Sequence, residues 1–306
     1  MNGFNPEGYK ESAQGGKKQN YTATYLENAM RSGEILQATA YMCDSDHNLL
    51  VSLGCMKGVI PRVEGAIGIE EGTTRDIALI SRVGKTVCFT IKEISIDEYG
   101  KPYALLSRRS AQQRCRDEYI NKLCPGDVIP AKITHLESFG AFCDIGCGNV
   151  ALLPIDSISV SRISHPSDRF SSGEDIFAAI KSIDPIGRIT LSHKELLGTW
   201  EENAALISQG QTVSGIVRSV ESYGIFVELM PNLAGLAEPK EGVIAGQRAS
   251  VFIKSIIPEK MKVKLIIIDT FSLCEPTPSH YFITEGHIDT FVYSSESSSK
   301  VIKTIF

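Results

Sequence analysis

This chain has no basic excess. Its 306 residues carry 31 Lys and Arg against 36 Asp and Glu, a formal charge of −5. Long-range attraction to a polyanion is therefore excluded as the main source of nucleic-acid affinity, and a local face would have to supply it. Long apolar runs are missing too. No stretch suits a membrane span or the core of a signal peptide, so no membrane partner and a cytoplasmic location are expected. The eight cysteines, at 43, 55, 88, 115, 124, 143, 147 and 274, form no CxxC pair. They read as reduced, mostly small apolar residues. Cys143 and Cys147 lack companion zinc ligands, and His280 and His287 lack a companion motif, so neither metal nor cofactor is expected. There is no phosphate-binding glycine loop and no nucleophile elbow. The carboxylates are scattered and do not form the cluster a two-metal nuclease needs. The chain does not read as an enzyme.

What is present is a repeat. Residues 137–145 read ESFGAFCDI and residues 221–229 read ESYGIFVEL. The offset between Phe139 and Tyr223 is 84, and it also relates Gly140 to Gly224, Phe142 to Phe226 and Leu152 to Leu236. Further on, GEDIFAAIKSID (173–184) resembles GQRASVFIKSII (246–257) at an offset of 73, so the later copy is shorter around SVSRISHPSDRF, a loop-like segment with a short helical turn. Insertions and deletions belong in such connections. A weaker copy lies upstream, where GEILQATAY (33–41) echoes GDVIPAKIT (126–134) and KGVIP (57–61) echoes VALLP (150–154).

Self-similarity of this kind implies repeated structural units. Each unit reads as five short β-rich runs broken by glycine or polar turns, which suits a small closed barrel of the OB type. The fold class is all-β: three tandem five-stranded OB barrels joined by short helices. The boundaries read as a flexible N-terminal tail (1–32), a degenerate barrel (33–108), a helical linker (109–124), a barrel (125–194), a second helical linker (195–208), a barrel (209–269) and a C-terminal extension (270–306). The extension mixes aromatics with a serine-rich break and is expected to pack on the third barrel.

Phe139 and Phe142 are three apart, which in a regular strand would send them to opposite faces. Glycine inside a strand often marks a bulge that changes the phase of alternation. A bulge at Gly140 would bring both rings to one face, and one at Gly224 would do the same for Tyr223 and Phe226. Two exposed rings form a platform on which unpaired bases stack. The competing reading is that one or both rings belong to the barrel core.

The stretches GDVIPAKITHLESFGAFCDIGCGNVALLPIDSI and DIFAAIKSIDPIGRITLSHK, with Phe-Gly-Ala-Phe, Ile-Asp-x-x-x-Arg-Ile and Leu-Ser-x-Lys, resemble the S1 RNA-binding domain family. The resemblance covers the middle unit nearly end to end and most of the third. It implies an OB barrel and single-stranded RNA as ligand. By that resemblance RNA meets Phe139 and Phe142, with Asp184 and Arg188 flanking the last turn. The family's histidine position falls on Pro154, so that contact is missing. In the third unit the aromatics are Tyr223 and Phe226, the histidine position is Glu238, the aspartate position is Ile257, and Lys262 stands near the arginine. For Asp184 and Arg188 the competing reading is an interaction that only stabilises the turn. Alternation would place Lys260, Lys262 and Lys264 on one strand face, as a phosphate-tracking stripe or only a solvated face. In the first unit the aromatic positions fall near His47 and Leu50, and the platform is absent.

Tandem copies of the domain imply a monomer that holds mRNA unpaired in translation at the small ribosomal subunit, docked through the first domain. Two alternatives stand beside this: an RNA-processing or degradation accessory factor, and an OB-fold adaptor that binds protein.

Overall fold

The computed structural model describes residues 4–9, 20–272 and 280–306. Cys274, and the parts of the expected terminal segments at 1–3, 10–19 and 273–279, lie outside the described residues.

Fifteen strands close into three barrels. The first contains β1 (Leu36–Cys43), β2 (Leu49–Ser52), β3 (Lys57–Ile60), β4 (Thr86–Ile96) and β5 (Pro102–Ser107). The second contains β6 (Val128–Glu137), β7 (Gly140–Asp144), β8 (Val150–Pro154), β9 (Asp175–Ile183) and β10 (Ile189–Ser192). The third contains β11 (Thr212–Glu221), β12 (Gly224–Met230), β13 (Leu233–Ala237), β14 (Arg248–Ile257) and β15 (Lys262–Phe271). All three share one strand order, with the third and fifth strands of each running parallel. Closure leaves no edge of the sheet unpaired, the usual OB solution.

Alternation sets what faces inward. In β15, Val263, Leu265 and Ile267 enter the core while Lys262, Lys264 and Ile266 face out. In the first barrel Leu36, Ala38 and Ala40 of β1 pack with Val87 and Phe89 of β4.

The chain forms two compact units: residues 1–123 with 130–132 and 144–150, and residues 124–129 with 133–143 and 151–306. In the first unit, part of the expected flexible tail is built structure. Helix α1 (Ala23–Ser32) is capped by the Thr22 side chain, stopped by Gly33 at φ 68°, and buries Leu26 and Ala29. An N-cap hydroxyl and an apolar pair three apart are enough to hold it against a barrel core. Earlier still, Glu7 is 6% exposed. Its carboxylate accepts Arg108 Nε at 2.7 Å, Arg108 Nη2 at 2.9 Å and the Cys88 amide at 3.0 Å. Its own amide donates to Asp144 at 2.7 Å, and Asp144 also accepts the amides of Gly146 and Gly148. Burial and the neighbouring Glu7 push the Asp144 carboxyl up to about 6. Burial also acts to raise Glu7, but Arg108 and Arg82 outweigh it and leave Glu7 below the usual carboxylate range.

The segment after the first barrel is helical, as α2 (Arg108–Glu118) and a 3-10 turn at Ile120–Lys122. A 3-10 turn at Lys194–Leu197 and the short α3 (Trp200–Ala204) follow the second barrel. In the second unit, Ile288, Phe291 and Tyr293 share one buried cluster with the third barrel's core, and β16 (Thr290–Val292) pairs with β17 (Lys303–Ile305). Among the described residues no helix is long and apolar enough to cross a membrane, and no group of three His, Cys, Asp or Glu is placed to hold a metal.

Candidate nucleic-acid interface

The ESFGAFCDI stretch is a hairpin, not a bulged strand. β6 ends at Glu137, Ser138 and Phe139 make the turn, and β7 begins at Gly140. The third barrel repeats this, with Glu221 paired to Gly224 across Ser222 and Tyr223. The first ring of each pair sits on the turn and the second on the strand behind it, so no change of phase at the glycine is needed. Gly140 has a different task. A Cβ there would lie 2.4 Å from the Leu153 carbonyl oxygen, and one at Gly224 would lie 2.8 Å from that of Ala237. Each glycine lets the neighbouring strand approach closely.

The rings are not core. Phe139 is 54% exposed and Tyr223 66%. Phe139 and Phe142 have centroids 6.0 Å apart with planes at 87°, and Tyr223 and Phe226 repeat this at 6.2 Å and 87°. Edge-to-face packing fixes each pair while leaving ring surface to solvent. In the first barrel Leu50 occupies the strand position and is buried, and His47 sits in a turn at φ 62°.

Register places a cation beside the third pair. Phe226 pairs with Leu236, and Leu236 pairs with Lys264, so the three form a row across the outer face. At strand spacing, Lys264 lies about 10 Å from Phe226. Lys262 pairs instead with Ile257, two residues along the strand. Lys260 departs from the expected stripe. It belongs to the 3-10 turn Pro258–Lys260, which precedes Met261 at φ 47°. Lys254 is engaged by Glu238 at 2.9 Å.

Asp184 and Arg188 meet. The Asp184 carboxylate accepts the amides of Ile186 and Arg188 and the Arg188 Nε at 2.7 Å. The Arg188 hydrogen bonds hold Asp184 below the usual carboxylate range. The turn is thus stabilised, yet the Arg188 side chain stays 78% exposed.

The S1 RNA-binding domain profile matches residues 122–194. Over 283 residues the chain is 29% identical to small ribosomal subunit protein bS1 of Staphylococcus aureus, covering 87% of this chain and 69% of that protein. The second barrel matches this domain from end to end. The small ribosomal subunit protein bS1 homolog of Bacillus subtilis is 34% identical over 159 residues, 50% of this chain and 41% of that one. Among solved structures, a multidomain protein with nucleic acid binding domains from Streptococcus pneumoniae overlaps 79% of this chain and 76% of its own at 15% identity and a TM-score of 0.27. The barrel fold rests on the strand order, not on that superposition.

Both barrels with an aromatic pair also place a buried acid two residues beyond the second ring, Asp144 and Glu228, again at the repeat offset. At the third barrel, Arg169 grips Glu228 with two bonds of 2.7 and 2.9 Å, and Arg218 Nε adds a third at 2.8 Å. Burial acts to raise Glu228, but the two guanidinium groups prevail and keep it ionised below the usual range. Arg218 reaches Glu228 because β11 carries its bulge there, between Val217 and Ser219. Nothing in the residue pattern of β11 announced this bulge. The acid at matching positions was the signal that could have flagged the cluster.

Proposed function

We propose that this chain binds single-stranded RNA, holding messenger RNA unpaired during translation at the small ribosomal subunit. The observation that carries the reading is the exposure of Phe139 and Tyr223 on matching hairpins. An apolar ring kept in water at one place in two repeats is what a stacking surface requires. The kinship to small ribosomal subunit protein bS1 supports the setting. Arg188 and Lys262 serve the phosphate backbone, Asp184 orients Arg188, and Lys264 joins them through its row with Phe226. The first barrel has Leu50 buried where the others carry a ring, so it is assigned to docking on the ribosome. Affinity per barrel is modest, and two linked barrels raise it through effective concentration.

Fluorescence anisotropy with a labelled single-stranded RNA tests the reading. Each base stacked contributes about 1–3 kcal/mol, so Phe139→Ala/Phe142→Ala should weaken binding by about 5- to 150-fold for each base lost. Binding that survives both this pair and Tyr223→Ala/Phe226→Ala removes the stacking assignment. Absence of salt-sensitive binding by the unaltered chain removes the RNA reading altogether. The fourfold variant should still co-sediment with small ribosomal subunits, and its release from them would move docking to the aromatic faces.

A further inference from the structure

The segment SVSRISHPSDRF, present in the middle repeat and missing from the third, lies in the same compact unit as the third barrel. It is fastened there. The Arg169–Glu228 pair holds one end, and the Val160 and Ser161 amides donate to Asn232 Oδ1 and the Pro231 carbonyl at 3.1 and 3.0 Å. Between the segment and the barrel runs a cleft of about 590 Å³, lined by Ser161, Arg162, Arg218, Glu221, Tyr223 and Phe226 among others. That volume lies within the ~300–1,000 Å³ typical of small-ligand sites.

Two polar atoms in the lining residues are orphaned. Ser161 Oγ and Arg218 Nη2 are both shielded from solvent and have no hydrogen-bond partner among the described residues. Buried donors are nearly always satisfied, and leaving one unpaired costs about 1–3 kcal/mol. Arg162 is exposed and enters no ion pair or hydrogen bond among the described residues. These two shielded donors and the exposed Arg162 belong to residues that line the cleft, which also exposes the Tyr223–Phe226 pair.

The formal charges around the cleft balance, Arg162, Arg169 and Arg218 against Asp168, Glu221 and Glu228. A diffuse field therefore does not draw a ligand in. Individual donors do, which favours one well-placed anionic group over a run of them.

We propose that this cleft seats one nucleotide of the bound RNA, its base on the Tyr223–Phe226 pair and its phosphodiester on Arg162 and, as their side chains rotate toward the cleft, on Ser161 Oγ and Arg218 Nη2. The middle repeat's long connection thereby completes the third barrel's site. This rests on the RNA-binding reading. It adds residues outside the third barrel to that barrel's interface.

Ser161→Ala is the discriminating variant. Its hydroxyl has no partner among the described residues, so its removal should leave thermal unfolding unchanged or slightly raised. RNA binding, by contrast, should fall roughly 2- to 10-fold with loss of a hydrogen bond to phosphate. Arg162→Ala should weaken binding of a fluorescein-labelled dodecauridylate by about 10-fold, and should lower the slope of log affinity against log salt by about 0.7. Both measurements use the full chain. If the unaltered chain binds and Tyr223→Ala/Phe226→Ala weakens it, but neither Ser161→Ala nor Arg162→Ala changes affinity or slope, this proposal fails and the stacking reading stands. If the unaltered chain does not bind, both fail together.

Discussion

His193 shows how one residue ties acid sensitivity to packing. It is fully buried, its Nδ1 donates to the Ile158 carbonyl at 2.9 Å, and the Tyr281 hydroxyl donates to its Nε2 at 2.9 Å. The neutral ring protonated at Nδ1 makes both bonds. Burial pushes the imidazole down to about 4, against about 6.5 in an unfolded chain. The stability it contributes is complete above about pH 6.5 and is lost as the pH falls toward 4. The loss amounts to about 3 kcal/mol. Denaturant titrations at stepped pH should show this decline, and His193→Gln, which keeps a donor and an acceptor, should flatten it. An unchanged decline in the variant would assign the acid sensitivity elsewhere. Histidine in a Leu-Ser-x-Lys context gave no hint of this role, because its partners lie 35 and 88 residues away in sequence.

At the scale of the element, the hairpins carry the site, and Gly140 decides whether β8 can lie beside β7. Gly140→Ala sets a methyl group against the Leu153 carbonyl, and the backbone must shift. A loss of about 1–3 kcal/mol in unfolding free energy is expected, with weaker RNA binding as Phe139 moves. Unfolding within about 0.5 kcal/mol of the unaltered chain would show that the strands yield without strain. The strands themselves were legible, because alternation and the repeat fix which residues point inward. The turn was not. Ser138-Phe139 lacks the Asn-Gly or Asp-Gly signature of a two-residue hairpin, and an aromatic at a turn mimics a strand position. Helix α1 was missed for the opposite reason. Its Thr22 cap and Leu26–Ala29 stripe were present, but in a stretch whose polar neighbours suggested a tail. The Ser161–Arg162 cleft could not be read from pattern at all, since it depends on where an inserted connection lands.

For the whole molecule, the first compact unit turns on Glu7. Glu7→Gln would leave the buried Arg108 without its charge partner, and breaking such a pair costs about 3–5 kcal/mol. Chemical denaturation should resolve a transition that moves by this amount, and a change below about 0.5 kcal/mol would mean the guanidinium finds other partners. The same pairing has a consequence in time. Glu7 is separated from Arg108 by 101 residues and from Asp144 by 137. During synthesis at ~5–20 residues per second, its amide waits roughly 7–27 s for Asp144 to be made. The first barrel's strands are complete earlier, at Ser107. A nascent chain stalled between those points therefore holds a closed barrel whose amino-terminal strap is unfinished, and that interval is when a chaperone or protease would find residues 4–9 accessible.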